Sequence, residues 1–344
     1  MIQQLQEKLS FDRVFSILLA GTIAGIVTLI SSISFAALIF SGKLTPFISM
    51  GITILISTAV VAGSLFSLLS ACRPVVAMPD DDTAPVLALM VTMVIAGFPD
   101  DTPGEVLFIS AYGALAATVV FTGVVLALLG FFRLGSLVRY LPYSVMGGYF
   151  AGAGLLLIQG AFKVVTDLPL VTAQDFVQLT QEGMFWKWFP AVLSALFIRW
   201  AINNWYKSIA LPAAMFLLIA VFFMFNSAVG LSAEDLLDDG LLVGPFPDTQ
   251  PSVWNPVLLE HASEIEWRLI WQHLSSMSTI TLLSAVSLML TISGLSVLQR
   301  DNIDINRELT VSGFANTVSG LSGGLIALPS MTLTELSMTV GAPR

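Results

Sequence analysis

The residues best suited to chemistry lie together in one interrupted apolar segment. Val76-Ala77-Met78-Pro79 is followed by Asp80-Asp81-Asp82-Thr83, and an apolar run then extends over residues 86–96. Pro79 prevents one helix from running through the segment, and the polar side chains after it can cap a new helix. Near the other end of the chain, Ile326-Ala327-Leu328-Pro329 and Ser330-Met331-Thr332 repeat the pattern. Two broken segments in corresponding places are typical of secondary transporters.

The half-helices behind these breaks predict where a solute binds. Each N-terminus carries about half a positive charge and unpaired amide donors, so two that face each other near the bilayer midplane favour an anion. Small hydroxyl side chains nearby can bond a desolvated solute, although each can instead bond its own helix or allow close packing. The predicted solute-binding residues are Ser31, Ser32, Ser34, Thr83, Ser293, Ser330, Met331 and Thr332.

The Asp80–Asp82 cluster complicates this interpretation, because ionised carboxylates at the bilayer centre repel an anion and are costly there. Three alternatives remain open. Asp80, Asp81 and Asp82 could cap the helix in a water-filled vestibule, one or two of them could carry a proton or bind Na⁺ as the coupling ion, or the solute itself could bear a positive group, as an amino acid does. Glu335, one turn into the second half-helix, could serve any of these roles.

Composition places the chain in a lipid bilayer. Of its 344 residues, 56% are hydrophobic and only 11% are charged, which is too little charged surface for a soluble protein of this size. The single cysteine, Cys72, excludes an internal disulfide and a multi-cysteine metal site. No nucleophile, base or metal set converges, so an enzyme is the least favoured class. Neither a cofactor nor a nucleic-acid partner is predicted.

Ten membrane spans are predicted from apolar runs of about 20 residues. Seven are regular and three are short or interrupted: 15–40, 46–70, 106–131, 143–164, 188–206, 208–227 and 276–298, then 74–97, 309–324 and 325–341. With the N-terminus in the cytoplasm, eight basic residues fall inside and four outside, as the positive-inside rule requires. We expect a plasma or inner membrane.

Two further features concern packing and the external surface. Glu264 to Leu274, in the hydrophilic stretch 228–275, has the spacing of an amphipathic helix lying at the membrane interface. Glycines in spans five and nine predict close helix packing: Gly147, Gly148, Gly152 and Gly154, and Gly313, Gly320, Gly323 and Gly324.

Internal similarity predicts two inverted repeats. Residues 27–34 resemble residues 286–293 at an offset of 259 residues, and Pro79 and Pro329 are 250 residues apart. These offsets relate span one to span eight and span three to span ten. Because each repeat has an odd number of spans, seven, the second copy enters the membrane from the opposite side. A complete second copy would need four more spans, so we expect this chain to be a fragment.

Several motifs resemble the SulP (sulfate permease) family of anion transporters and exchangers. Residues 304–309, Asp-Ile-Asn-Arg-Glu-Leu, with Gly313, Asn316, Gly320 and Gly323-Gly324 behind them, are similar to a family pattern between spans eight and ten, and residues 139–152 resemble the family's start of span five. The resemblance implies an all-α integral membrane protein with a partial 7+7 inverted-repeat transporter fold (UraA/SulP-like). Spans 1–10 would be present, and broken spans 3 and 10 would each be a short extended strand plus a half-helix.

The resemblance also implies a domain organisation. Residues 1–131 (spans 1–4) and 276–344 (spans 8–10) would belong to a transport core, residues 132–227 (spans 5–7) to a gate, and residues 228–275 to an external loop. The core would move against the gate in an elevator-like manner. Spans 11–14 and the STAS domain that usually follows fall outside this sequence. A homodimer is expected for the full-length protein.

Departures from the family pattern bear on the solute. Thr291-Ile292-Ser293-Gly294 stands where many members carry a Glu in span eight, Met331 replaces the Arg of a common Ser-Arg-Thr, and the Asp triplet is unusual. The first hypothesis is a secondary active transporter, symporter or exchanger, of a small inorganic anion such as sulfate or bicarbonate. One alternative keeps the fold and moves an amino acid or other cation-bearing solute through Asp80–Asp82. Another is a non-transporting membrane scaffold or regulatory fragment.

Overall fold

The computed structural model is almost entirely helical. It describes residues 11–340, apart from 141, 167, 169, 171, 182, 206, 239–240 and 243–264. The elements in chain order are α1 (Phe11–Ile39), α2 (Ile48–Leu69), β1 (Ala77–Pro79), α3 (Ala84–Ala96), α4 (Gly104–Phe131), α5 (Tyr143–Thr166), α6 (Ala173–Gln178), α7 (Met184–Asn204), α8 (Lys207–Val229), α9 (Ala233–Asp238), α10 (Trp267–Gln272), α11 (Leu274–Gln299), α12 (Ile305–Leu321), β2 (Ala327–Pro329) and α13 (Met331–Thr339).

Helices occupy every span predicted as continuous, and their ends differ from the predicted ones by at most four residues. Six helical stretches of the described chain are long and apolar enough to cross a bilayer: Phe15–Ile39, Gly42–Leu69, Gly104–Phe131, Ser144–Thr166, Ala210–Val229 and Leu274–Gln299. The prediction works because a bilayer-spanning helix must bond all of its backbone groups internally, which makes long apolar runs helical whatever their neighbours are.

The two broken spans each fold as a short strand followed by a half-helix, as predicted. β1 and β2 pair antiparallel with Met78 opposite Leu328 and Pro79 opposite Ala327. Pro79 and Pro329 each end their strand, since proline fixes φ and offers no N–H to the ladder. This pairing brings the two predicted repeats together with opposite chain directions, so that α3 and α13 leave the ribbon at opposite ends.

A buried core surrounds this ribbon. The largest cluster of buried apolar side chains draws on α1–α4, α10–α12 and β2. Helix α12 packs along α4 through glycines: Gly313 lies against the backbone of Ala127, and Gly320 lies against Val120. The close packing predicted for span nine is therefore confirmed.

The close packing predicted for span five is not seen among the described residues. No atom of a described residue lies within 4 Å of the position that a Cβ would take at Gly147, Gly148, Gly152 or Gly154 of α5. Helix α5 contacts α1, α3 and α7 through other residues. Glycine spacing defines a smooth helix face, but it does not determine whether another helix covers that face.

The predicted interfacial helix is shorter than expected. Helix α10 ends at Gln272, and Leu274 already belongs to α11. Ile270 is buried while Trp267 and Trp271, predicted on the same apolar face, are exposed. The position of this helix at the membrane interface stays a prediction. Glu264, and with it residues 243–264 of the predicted loop, lie outside the described residues.

Candidate functional site

The first part of the site is the turn between β1 and α3. The backbone N–H of Asp80 donates to the carbonyl of Ile326 at 3.0 Å, which fixes the turn to the chain before β2. The Asp80 carboxylate is buried and accepts the Thr83 hydroxyl at 2.6 Å. Thr83 is the N-cap residue of α3, yet its side chain makes no capping bond. The Thr83 hydroxyl is engaged by Asp80 and caps no backbone N–H of α3.

Asp82 is held by two other helices. Its Oδ2 atom accepts the hydroxyl of Ser287 on α11 at 2.6 Å and the hydroxyl of Tyr149 on α5 at 3.0 Å. The Tyr149 oxygen also lies 3.5 Å from the carbonyl oxygen of Leu283. Two hydroxyl donors therefore converge on one carboxylate oxygen. Asp82 therefore joins α3, α5 and α11.

The cluster has no basic partner within the described part of the chain. Asp81 is exposed, and neither it nor Asp80 or Asp82 forms an ion pair there. Lys43 pairs instead with Asp100, a residue between α3 and α4. Three neighbouring carboxylates in a membrane-embedded site need a compensating positive charge. Among the described residues no basic side chain supplies it.

The second part of the site is the start of α13. The Ser330 N–H donates to the carbonyl of Val76 at 2.8 Å, and its hydroxyl caps the helix by accepting from the Leu333 N–H at 3.3 Å. Met331 is 42% exposed, and Thr332 and Glu335 are also exposed. This end thus presents helix amides, hydroxyls and a thioether.

Both parts of the site contact helix α11, so the helical rise gives the spacing between the two contacts. Ser287 bonds Asp82, while the sulfur of Met331 lies 3.0 Å from the Cβ position of Gly294. Ser287 and Gly294 are two helical turns apart on one face, which corresponds to about 10 Å along the axis at about 1.5 Å per residue. The half-buried Thr291 lies between them on the same face. The contacts of Asp82 and Met331 with α11 therefore lie about 10 Å apart along its axis, and we call this separation the gap.

The remaining predicted solute-binding residues are the serines of α1 and Ser293 of α11, and their surroundings differ. Ser34 donates to Ile30 and Ser293 to Met289 of their own helices, the alternative considered for hydroxyls in spans. The buried Ser32 hydroxyl has no hydrogen-bond partner among the described residues, and it lines a cavity of about 640 Å³ between α1 and α2 that reaches Val76. Ser31 is half-buried.

Several residues that support the site were not predicted. The amide side chain of Asn316 bonds both backbone groups of Ala327, at 2.8 and 2.9 Å. The hydroxyls of Thr58 and Thr334 accept from backbone N–H groups of Leu325 and Val76. These bonds satisfy the buried backbone of the ribbon. Asn316 belonged to a recognised motif, and only its position opposite β2 shows what it does.

Comparison with known proteins agrees with this architecture. A family model described as "Sulfate permease family" matches residues 15–343. The chain belongs to the sulfate permease family. Sulfate permeases are transporters rather than enzymes, as predicted, and the chain is an integral multi-pass membrane protein.

Individual sulfate permease relatives differ in what their names state. The chain is 24% identical over 263 residues to "Vacuolar basic amino acid transporter VSB1" of Saccharomyces cerevisiae, covering 74% of this chain and 25% of that protein. It is 24% identical over 303 residues to "Bicarbonate transporter BicA" of Picosynechococcus sp., covering 82% and 48%. The chain thus spans between a quarter and about half of these relatives.

A solved structure confirms the fold. The transmembrane domain of a cyanobacterial bicarbonate transporter BicA aligns with a TM-score of 0.68 at 18% identity, covering 97% of this chain and 79% of that one. At this identity the likeness establishes the inverted-repeat fold alone.

Proposed function

We propose that this chain is membrane-embedded machinery of a secondary transporter whose solute bears a positive group, with basic amino acids as the first candidates. The observation that carries the proposal is the Asp80–Asp82 cluster, which has no basic partner in the described chain. Asp82 and Met331 contact α11 about 10 Å apart along its axis.

Electrostatics favours a cation at the α3 end of the gap. An ammonium 4 Å from one carboxylate gains about 4 kcal/mol at an effective dielectric constant of about 20, and an anion at that place loses as much. A helix N-terminus offers an anion about 0.3–2 kcal/mol. The carboxylates of Asp81 and Asp82 therefore outweigh the α3 dipole.

The α13 end suits a negative group. Its amide donors and the exposed Thr332 hydroxyl lie far enough from Asp82 for an anion to escape most of the repulsion. An amino acid carries an ammonium and a carboxylate, so one solute can satisfy both ends of the gap. The name of the yeast relative, a basic amino acid transporter, agrees with this assignment.

A second candidate is a small inorganic anion moved together with Na⁺ or H⁺. The facing half-helix N-termini favour it, as does the named bicarbonate transporter among the relatives. The anion would bind at Ser330–Thr332, and the coupling cation would neutralise Asp80–Asp82, with Glu335 as a further acceptor.

For either solute, we propose elevator-like movement of α1–α4 and α11–α13 against α5, α7 and α8. The first group contributes the large buried cluster and both half-helices. Contacts between the groups run from α1 to α5 and α8, from α3 to α5, and from α13 to α8. We also propose that the full-length protein forms a homodimer.

Uptake by the full-length protein in liposomes tests the proposal. Labelled lysine, arginine, sulfate and bicarbonate are compared with and without H⁺ and Na⁺ gradients. Asp81→Asn should reduce lysine uptake at least tenfold, whereas Asp101→Asn, an exposed acid between α3 and α4, serves as the matched control and should leave uptake unchanged.

Saturable uptake of sulfate or bicarbonate without uptake of either amino acid would refute the first candidate. In that case, loss of the ion gradient's effect in Asp81→Asn would support the second candidate, and an unchanged effect would remove the cluster from coupling. If the protein transports none of the four solutes, the result would support the alternative of a non-transporting membrane scaffold.

A further inference from the structure

One hydroxyl group reaches the carboxylate cluster from the other group of helices. Tyr149 belongs to α5, whereas Asp82 precedes α3 and Ser287 belongs to α11. The Tyr149 side chain is half-buried, and its hydroxyl donates to Asp82 across the boundary between the two groups. The described hydrogen bonds of Asp80 and Asp82 otherwise remain within the α1–α4 and α11–α13 group.

The two donors leave one side of the Asp82 carboxylate open. Ser287 and Tyr149 both bond Oδ2, and Oδ1 has no hydrogen bond to a described residue. Because two donors from different helices fix Oδ2, the carboxylate cannot rotate without losing at least one of them. The fixed orientation leaves Oδ1 to accept from a solute or cation.

We propose that Tyr149 is a positioning residue: together with Ser287 it fixes the Asp82 carboxylate with Oδ1 toward the solute, and so sets solute affinity while α5 lies against α3. This inference rests on the proposed function. Ser287 and Asp82 move together if the core moves as one body, whereas Tyr149 remains with α5. The Tyr149 bond therefore exists only in the arrangement described here, and solute affinity depends on the conformation through it.

The size of the effect follows from the type of bond. Hydrogen bonds to charged groups contribute more than neutral ones, and losing such a bond corresponds to a change in affinity of about tenfold or more. Tyr149→Phe removes the hydroxyl and keeps the ring. Tyr140→Phe is the matched control, since that side chain is 80% exposed and the ring change is identical.

The experiment is a double-mutant cycle on lysine binding by the full-length protein in detergent or nanodiscs. Tyr149→Phe should weaken lysine binding about tenfold, and Tyr140→Phe should not change it. In an Asp82→Asn background the same Tyr149→Phe change should alter affinity less than twofold, because the two residues act as a unit. If Asp82→Asn abolishes measurable binding, the cycle is run with Ser287→Ala, where non-additive losses are expected.

A second measurement separates positioning from stability. Thermal unfolding without solute is recorded for the same variants. A lower unfolding temperature for Tyr149→Phe with unchanged lysine affinity would show a structural role only and would overturn the inference, as would fully additive affinity losses. A wild-type protein that binds no cation-bearing solute refutes the proposed function and the inference together, whereas binding with additive losses refutes only the inference.

Discussion

Replacing Gly313 by alanine should separate α12 from α4. A Cβ at Gly313 would lie 2.6 Å from the Cα and 2.7 Å from the Cβ of Ala127. Carbon atoms in contact prefer about 3.5–4.0 Å, so the helices must move apart locally by about 1 Å. Overpacking of this kind costs about 1–3 kcal/mol, while alanine returns about 1 kcal/mol through helix propensity. We expect a net loss of up to about 2 kcal/mol.

The assay is the apparent unfolding temperature of the detergent-purified protein, followed by size-exclusion chromatography after heating. Gly148→Ala is the matched control, because no atom of a described residue lies within 4 Å of its Cβ position, so that helix propensity dominates there. We expect Gly313→Ala to unfold at a lower temperature than wild type and Gly148→Ala to be unchanged or more stable. Equal unfolding temperatures for the two variants would refute the reasoning, since overpacking lowers the stability at Gly313 alone.

Three further perturbations test particular contacts. The buried Glu308 carboxylate accepts hydrogen bonds from two donors in the segment after α2. Glu308→Ala should therefore lower the free energy of unfolding by about 1–3 kcal/mol for each donor left unpaired. The control variant Glu105→Ala, at an exposed acid, should be neutral in the same unfolding assay. Asn316→Leu removes both side-chain bonds to β2 and should lower both the unfolding temperature and the solute affinity. If the variant keeps its stability and its affinity, Asn316 does not hold the ribbon in place. The hydrogen bond from Lys43 lowers the pKa of Asp100, so this pair stabilises the fold above the ordinary Asp pKa and its contribution disappears as the pH falls through the lowered value. Lys43→Ala should return the Asp100 pKa to its ordinary range by NMR titration, with little change in stability because the pair is exposed.

Local features of the sequence were sufficient for the broken spans. Pro79 and Pro329 cannot continue a helix or a ladder, and the chain resumes as a helix within a few residues of each. Sequence similarity around the two prolines also predicted that they are related by an inverted repeat. The antiparallel pairing of β1 with β2 agrees with that prediction.

Partners distant in sequence could not be predicted in the same way. Ser287 and Tyr149 carry no pattern that singles them out among the many hydroxyl residues of the spans, and they reach Asp82 only because α5 and α11 pack beside α3. The glycines of α5 and α12 look alike in the sequence but differ in environment. A helix face can be read from periodicity, whereas the neighbour that covers it depends on how the helices assemble.

The sequence by itself determined the membrane location, the helix boundaries and the two interruptions, because these follow from hydropathy and backbone sterics over a few residues. Only the tertiary structure decided which carboxylate oxygens are already bonded, which glycines bring helices together, and that Asp82 and Met331 contact α11 about 10 Å apart along its axis. Those properties are distances between segments up to about 250 residues apart, and packing in three dimensions sets them.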